Sequence, residues 1–413
     1  MASAVTALAW RGITRPMVDT VGYRETINSL EQGWAWVTDR TVGYPLVMMA
    51  TGAGNGSSRV QFFVQLAMHL TTVVLMLDVA RRHGVGRWGR LAMTVLLFAP
   101  VVLLRVVHEG TEALSALQLT FVCWLLLSPP RTRPTAWALV LGITCGTATL
   151  VRPQFMLLFV PVALLAGWMA AENRWRTAAL VAVPAVVIVG GYVTANGVRF
   201  QSWSTTPNLA YNLNSRTSTY VEELPASFEP GRSVLIRERD AALLVGDDVP
   251  PQNFIYGARP ALERATGLTG RDLDRWVLRA DLHLITHNPF AYLDAVKTSA
   301  VNYANCDSQP AILGLGRPVA WLQQALHQIL LVAFVGVLSL VPGLALAGRV
   351  PRSRLVPLAV GGALAGYNFL VTVMMEAGTA RLRSPAEPIM ALMLVVAASI
   401  VRSALHERPW RKG

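Results

Sequence analysis

"VDTVGYRETINSLEQGWAWVTDRTVGYPLVMMATGAG", residues 18–54, is a polar segment that precedes the first apolar run able to cross a bilayer. It contains Asp19, Tyr23 and the turn sequence "RTVGYP" at 40–45. The chain that follows is mostly apolar, and ionisable residues are costly in such surroundings unless they have a use. The segment therefore indicates a membrane protein with a polar, acid-bearing loop ahead of its membrane helices.

The composition sets the class of protein. Hydrophobic residues make up 53% of the 413 residues, charged residues make up 15%, and the mean hydropathy is +0.43. Apolar side chains in this proportion exceed what one soluble core could bury, so we predict a polytopic membrane protein in contact with the lipid bilayer. The net charge of +12 does not indicate nucleic acid, because most arginines lie in short breaks between apolar runs. The scarcity of lysine, with only Lys297 and Lys412, is typical of a GC-rich bacterial genome.

About nine apolar runs approach the roughly 20 residues that cross a hydrocarbon core of about 30 Å. They lie at 59–80, 88–107, 113–128, 134–150, 154–171, 177–198, 318–347, 354–375 and 385–404. A long polar segment interrupts them. The predicted fold is an all-α bundle of about nine transmembrane helices with a small extracytoplasmic domain. Its parts are an extracytoplasmic first loop (1–58), transmembrane helices (59–198), the extracytoplasmic domain (199–317), and C-terminal transmembrane helices with a cytoplasmic tail (318–413).

The distribution of arginine predicts the orientation. The arginine-rich breaks belong in the cytoplasm, and they are 81–90, 129–134, 172–176, 349–354 and the C-terminal tail. The opposite breaks face outward and carry most of the unusual acids at the ends of different spans. Polar residues gathered on one face in this way indicate an interfacial active site. An outward first segment also predicts a helix before it: either residues 1–13 end a helix that begins upstream, or the first span inserts as a reverse anchor.

Five motifs, in chain order, resemble the GT-C superfamily of polyprenyl-phosphate-sugar-dependent glycosyltransferases, in particular ArnT-like and protein-mannosyltransferase-like members. They are Asp19 and Tyr23 with "RTVGYPLVMMA" (40–50), "HEGTEALSALQLTFVCWLLL" (108–127), "GTATLVRPQFMLLFVPVALL" (146–165), "WVLRADLHLITHNPFAYLDAVKTSAVNY" (276–303) and "EAGTARLRSPAEPIMALMLVV" (376–396). The chain departs from the family pattern at the absent first helix, at Thr41-Val42 where proline is common, and at Asp19, which has no adjacent second acid.

The resemblance implies a GT-C-like bundle and transfer of a hexosyl or pentosyl group from a polyprenyl-phosphate donor. The acceptor would be an extracytoplasmic glycan, lipid, protein or peptide, and the anomeric carbon would be inverted. The site would face outward from the bacterial inner membrane. No cofactor is implied, and whether a divalent metal assists stays open. Two other readings compete with this one: a transporter or lipid flippase, and a noncatalytic membrane scaffold.

Asp19 is the candidate catalytic residue. A carboxylate can take the proton of an acceptor hydroxyl as the glycosidic bond forms, which typically accelerates a reaction by about 10²- to 10⁴-fold. The usual pKa of aspartate, about 3.9, is low for a base, so the pocket would have to raise it, or the acid would act by positioning the hydroxyl. The alternative is that Asp19 only caps the helix that begins near Gly22.

Arginines suit the departing lipid phosphate, because guanidinium stays charged and presents a planar fork to phosphate oxygens. The candidates are Arg40, Arg152, Arg381 and Arg383. The alternative for each is that it reaches out to lipid headgroups. Arg381 and Arg383 are two residues apart, so on a helix they point to different sides.

The remaining candidates are acids and aromatic residues. Glu109 and Glu112 are three residues apart and could bind sugar hydroxyls, pair with an arginine or supply a second carboxylate. The resemblance favours Glu112, for which helix capping is the alternative. Glu376 is interpreted as a partner of Arg381 or Arg383. The resemblance adds Tyr23 and Tyr44 to the substrate-binding set, and Trp203, Tyr211 and Tyr220 could stack on sugar rings.

Overall fold

The structure is a computed structural model that describes residues 19–35, 38–54, 56, 58–129, 132–244, 254–305, 317–348, 350–376 and 380–406. Its first helices are α1 (Thr20–Glu31), α2 (Gly43–Ala50), α3 (Arg59–Arg82), α4 (Arg87–Leu97), α5 (Pro100–Val107), α6 (Glu112–Leu127), α7 (Pro134–Val151), α8 (Phe159–Met169) and α9 (Arg174–Phe200). The next are α10 (Asn208–Thr217), α11 (Gly231–Leu244), α12 (Phe254–Thr266), α13 (Gly270–His287) and α14 (Pro289–Ala304). The last are α15 (Arg317–Leu346), α16 (Arg352–Met375) and α17 (Glu387–His406), with a 3₁₀ helix at Ala380–Ala386 between α16 and α17. Residues 1–13, to which we assigned the end of a preceding helix, lie outside the described residues.

The chain is an all-α, multi-pass membrane protein, as predicted. Six helices in the described residues are long and apolar enough to cross a membrane: Arg59–Arg82, Pro134–Val151, Arg174–Phe200, His327–Leu346, Ser353–Met375 and Arg381–Ala404. Two shorter apolar helices, Glu112–Leu127 and Pro153–Met169, correspond to two further predicted spans. The predicted number of nine is not confirmed. The run predicted at 88–107 divides into α4 and α5, because Pro100 begins a new helix, where its missing N–H is not needed.

The membrane helices share one apolar core, built from α3, α4, α6 to α9 and α15 to α17. Small residues let neighbouring backbones approach closely, which drives packing where lipid supplies no hydrophobic force. Helices α7 and α9 meet in this way at Gly142, where a Cβ would collide with the carbonyl oxygen of Val181.

Along the chain, helices α10 to α14 come between the first and the last membrane helices, and we call them the interspan domain. A second apolar cluster joins α10, α11, α12 and α13. Helix α13 is amphipathic: Leu273, Trp276, Val277, Ala280 and Leu284 are buried. Their spacing of three to four residues places them on one helix face. The motif at 276–303 resembles an amphipathic helix that an Asn-Pro pair separates from a second helix, and it does form two helices, α13 and α14, the second starting at Pro289.

An acidic side chain is buried within the interspan domain. Asp281 of α13 is fully buried, and its Oδ1 accepts hydrogen bonds from Asn214 Nδ2 at 3.0 Å and Thr217 Oγ1 at 2.5 Å. Its Oδ2 has no hydrogen-bond partner in the described part of the chain. Burial raises the pKa of Asp281 to about 8, and the bonds from Thr217 and Asn214 oppose that rise only in part. The folded domain therefore holds Asp281 as a neutral acid at neutral pH.

The buried acid predicts a pH-dependent stability. The folded state keeps a proton that the unfolded chain releases above about pH 4, so stability is expected to fall as the pH rises towards about 8. Asp281→Asn removes the titrating group and keeps the acceptor oxygen, so its thermal unfolding midpoint in detergent should change much less between pH 5 and pH 8. Asp272→Asn, at an exposed acid of the same helix, should behave as the wild type. Equal pH dependence in wild type and Asp281→Asn would contradict this assignment.

Candidate active site

Asp19 lies at the N-cap position of α1, but its carboxylate makes no capping hydrogen bond. Its Oδ1 accepts a hydrogen bond from Arg40 Nη2 at 2.6 Å, and its Oδ2 accepts one from Arg381 Nη2. Burial alone would raise the pKa of Asp19, but the guanidinium groups of Arg381 and Arg40 outweigh it and hold the pKa well below its usual range. The helix-capping alternative is therefore wrong, since the side chain serves as an acceptor for two arginines.

Glu112 is the first residue of α6, and its side chain is only 2% exposed. Its Oε1 accepts hydrogen bonds from Arg381 Nε at 2.5 Å and from Arg152 Nη2 at 3.3 Å. Thr111 makes no side-chain cap bond, and Glu112 is an acid in the first turn of α6, so the capping alternative for Glu112 stays open beside its two bonds to arginine. Arg381 thus bridges two carboxylates that are far apart in the sequence.

We call these five residues the guanidinium cluster: Asp19, Arg40, Glu112, Arg152 and Arg381. It contains three guanidinium groups and two carboxylates, which leaves one positive charge for an anion. Each guanidinium and carboxylate group of the cluster has an oppositely charged partner, as buried charges require. In the described residues, no group of three or more His, Cys, Asp or Glu side chains is placed to hold a metal ion.

The turn "RTVGYP" explains how Arg40 reaches the cluster. Gly43 begins α2 directly against the end of α7, where a Cβ would lie 2.6 Å from the carbonyl oxygen of Leu150. Thr41 Oγ1 donates a hydrogen bond to the carbonyl oxygen of Val151 at 3.3 Å. The turn is therefore held against the last residues of α7, next to Arg152, which ends that helix.

Tyr23 and Tyr44 hold the same turn from the other side. Their rings meet edge to face at 4.9 Å, and the exposed fractions of the two residues are only 4% and 1%. Tyr44 donates a hydrogen bond to Gln65 Oε1 at 3.0 Å and accepts one from Gln61 Nε2 at 2.6 Å. Since both rings are buried, we assign them to positioning Arg40, whose guanidinium carbon lies 5.7 Å from the Tyr23 ring centroid, and not to direct substrate contact.

Glu109 does not join the guanidinium cluster. It is fully buried, and its Oε2 accepts a hydrogen bond from Arg24 Nη2 at 3.1 Å. Its carbonyl oxygen accepts one from Thr20 Oγ1 at 3.3 Å. Glu109 therefore fastens α1 to the turn before α6, whereas Glu112, three residues later, faces Arg152 and Arg381.

Arg383 points away from Arg381, as predicted from their spacing. It is buried, its Nε donates to Glu387 Oε1 at 3.2 Å, and its Nη1 donates to the carbonyl oxygens of Tyr303 and, at 3.0 Å, Asn305. It lines an apolar cavity of about 490 Å³ that also borders α4, α5, α14, α15, α16 and α17. Arg383 therefore lies apart from the other three candidate arginines, because the 3₁₀ helix turns its side chain into this cavity.

Glu376 is not the partner of either arginine. The described residues offer it no ion pair, since Arg381 is bound to Asp19 and Glu112, and Arg383 to Glu387. It follows the last residue of α16 and is half-buried. Burial raises the pKa of Glu376, which the nearby Arg152 opposes. The interpretation of Glu376 as an ion-pair partner is therefore wrong.

In the interspan domain, the predicted residue Tyr211 is buried, and the exposed ring beside it belongs to Tyr256. Tyr211 is only 1% exposed and donates a hydrogen bond to Asp274 Oδ1 at 2.5 Å, so it cannot stack on a sugar. Tyr256 stacks on Tyr211 with ring centroids 5.3 Å apart, and it is 41% exposed. Stacking by Trp203 and Tyr220 stays a prediction.

Sequence reasoning missed Arg24, Gln61 and Gln65. Arg24 binds Glu109, and the two glutamines bind the hydroxyl group of Tyr44. Gln65 Nε2 donates hydrogen bonds to the carbonyl oxygens of Val106 at 2.8 Å and His108 at 3.0 Å. The signal was present, because two glutamines four residues apart at the start of an apolar run share one helix face and need buried partners.

Comparison with known proteins gives a distant structural likeness. One matching structure is ArnT from Cupriavidus metallidurans bound to undecaprenyl phosphate, with a TM-score of 0.38 and 15% sequence identity; the match covers 98% of this chain and 76% of that one. Another is ArnT from the same organism in the apo state, with a TM-score of 0.37 and 14% identity; this match covers 96% of this chain and 76% of that one. ArnT is the type of enzyme that the sequence motifs resemble. No family model matches the chain, and no curated protein matches it. Because both TM-scores are below 0.5, we argue the function from the side chains and not from this likeness.

The contact at Gly43 predicts that Gly43→Ala destabilises the protein. The added methyl group would press on the carbonyl of Leu150, so α2 must move from α7, and we expect a loss of about 1–3 kcal/mol, as for overpacked cores. Denaturant unfolding of the detergent-purified protein measures this loss. Gly190→Ala is the matched control, because its Cβ would meet nothing within 4 Å. An unchanged unfolding midpoint in Gly43→Ala would show that the close approach is absent.

The pairing of Glu112 predicts a larger effect for Glu112→Gln. Removing this charge leaves Arg152 and Arg381 without a shared carboxylate in a buried place, which typically costs about 3–5 kcal/mol. The same unfolding measurement tests it, with Glu25→Gln on the exposed face of α1 as control. If the two variants unfold alike, Glu112 does not hold the cluster together.

Proposed function

We propose that this chain is a glycosyltransferase that moves a sugar from a polyprenyl-phosphate donor to an extracytoplasmic acceptor at the bacterial inner membrane. One observation carries the proposal. The 3₁₀ helix Ala380–Ala386 holds Arg381 in the guanidinium cluster and, two residues later, Arg383 in the wall of the apolar cavity. A ligand with a long apolar chain and an anionic, polar end suits this pair of neighbouring environments.

The cavity suits the lipid part of such a donor. Its volume of about 490 Å³ is in the usual range for ligand pockets, and leucine, phenylalanine and methionine side chains dominate its wall. The polar groups gather together: Arg383, Glu387 and His327. Nη2 of Arg383 has no hydrogen-bond partner in the described residues, which leaves it free to donate to a phosphate oxygen.

The guanidinium cluster suits the reacting end. The acceptor oxygen attacks the anomeric carbon from the face opposite the phosphate, the bond from that carbon to the phosphate oxygen breaks, and its electron pair stays on the phosphate. Preorganised cations aimed at this growing charge lower the barrier. Direct displacement inverts the anomeric carbon. In this scheme Asp19 is essential because it fixes Arg40 and Arg381, so that the cluster keeps its geometry.

The experiment uses the purified protein in vesicles with a panel of radiolabelled polyprenyl-phosphate hexoses and pentoses. We expect release of the label from the lipid, by transfer or hydrolysis, for at least one donor. Asp19→Asn frees two guanidinium groups and should slow release by about 10²-fold or more, as expected for the loss of preorganised charge. Arg383→Gln should raise the KM for the donor.

Asp272→Asn, at an exposed site, is the control and should match the wild type. If the wild-type protein releases no label from any donor, the proposal is wrong. If the label instead crosses the vesicle bilayer while still attached to the lipid, the protein is a flippase. Equal release by Asp19→Asn and wild type would remove Asp19 from the mechanism.

A further inference from the structure

Sugar transfer to a hydroxyl requires an acceptor for its proton, and two of the acids at the site are already occupied. Both oxygens of Asp19 accept hydrogen bonds from guanidinium groups, and Glu112 is buried between two arginines. A proton placed on either carboxylate would break ion pairs that hold the cluster. Neither acid is therefore suited to take a proton in each catalytic cycle.

Glu376 differs from both because the described residues offer it no ion pair. Its position is nevertheless fixed. Its backbone N–H donates to the carbonyl oxygen of Thr372 at 2.9 Å, which closes the end of α16. The carbonyl oxygen of Met374 accepts a hydrogen bond from Tyr292 of α14 at 2.6 Å, which ties this helix end to the interspan domain. The carboxyl group is half-buried, so it is held in place and still reachable.

Charged and titratable groups on both sides lie within electrostatic range of Glu376. On the membrane side these are Arg152, Asp19, Arg381 and Arg40. On the side of the interspan domain they are Arg216 of α10 and Tyr256 of α12, both within electrostatic range of Glu376. Glu376 therefore lies near both the guanidinium cluster and the interspan domain.

We propose that Glu376, and not Asp19, is the general base that takes the proton from the acceptor hydroxyl. The proposal rests on the glycosyltransferase function above. As the acceptor oxygen bonds to the anomeric carbon, its O–H bond breaks and the proton moves to a carboxylate oxygen of Glu376. The phosphate leaves with the electron pair of the broken glycosidic bond. After the product departs, Glu376 returns the proton to water, which completes the cycle without any further reactant.

The proton affinities of Glu376 and Asp19 agree with this assignment. Burial raises the pKa of Glu376, whereas the neighbouring guanidiniums lower the pKa of Asp19. The carboxylate with the higher pKa is the stronger base, provided that it is ionised at the working pH. Activity should therefore decline as the pH falls through the pKa of Glu376, above the ordinary glutamate value of about 4.3.

The test measures the pH dependence of kcat/KM for release of labelled sugar to water from the donor identified above. We expect an acid limb above about pH 4.3 in the wild type. Glu376→Gln should lower kcat by about 10²- to 10⁴-fold with an unchanged donor KM, and its acid limb should disappear. In Glu376→Ala, added formate should restore part of the rate, because it supplies a carboxylate, which a merely structural role would not allow. Asp39→Asn, at the acid that precedes Arg40 in the sequence, should keep the wild-type profile.

The outcomes separate this inference from the proposed function. A wild-type protein that releases no sugar from any donor overturns both. A wild type that is active but has no acid limb down to pH 4 overturns the role of Glu376 alone, even if the variants fail to fold. A Glu376→Gln variant with the wild-type rate and pH profile also overturns the role of Glu376. The same holds if Asp39→Asn loses the acid limb while Glu376→Gln keeps it.

Discussion

The interaction on which the rest depends is the guanidinium of Arg381 held between Asp19 and Glu112. It joins residues separated by 362 and 269 positions in the sequence, so it ties the last part of the chain to the first loop and to a middle helix. An ion pair with so little water around it persists only if each partner is in place, because an unpaired buried charge is strongly destabilising. The first loop, the start of α6 and the segment before α17 must therefore fold as one unit.

The 3₁₀ helix between α16 and α17 places Arg381 and Arg383 in different surroundings. A regular α-helix would turn residues two apart to nearly opposite sides. The short 3₁₀ helix has a similar effect, so Arg381 enters the guanidinium cluster and Arg383 enters the wall of the apolar cavity. Irregular backbone is tolerated at membrane depth only where it is surrounded by protein or lines a cavity. The same segment thus brings the guanidinium cluster close to the apolar cavity.

The acids at the site differ in environment and therefore in what they can do. Asp19 and Glu112 are occupied by arginines and act as fixed parts of the cluster. Glu376 is fixed by its backbone, not by an ion pair, which leaves its carboxyl group available for chemistry in our proposal. Enzymes commonly assign different roles to similar carboxyl groups in this way, by giving each a different set of neighbours.

The sequence by itself determined the class of protein, the main spans and all five members of the cluster. Apolar runs of membrane length are local features that need no knowledge of partners, and the motifs already contained Asp19, Arg40, Glu112, Arg152 and Arg381. It did not determine the partner of any of them, the isolation of Glu376 or the entry of Arg383 into the cavity. Those depend on distances between residues far apart in the chain, which the close packing of α2 on α7 and the turn before α17 establish. Hydropathy reports where a segment lies in the bilayer, but only tertiary packing decides which charges meet.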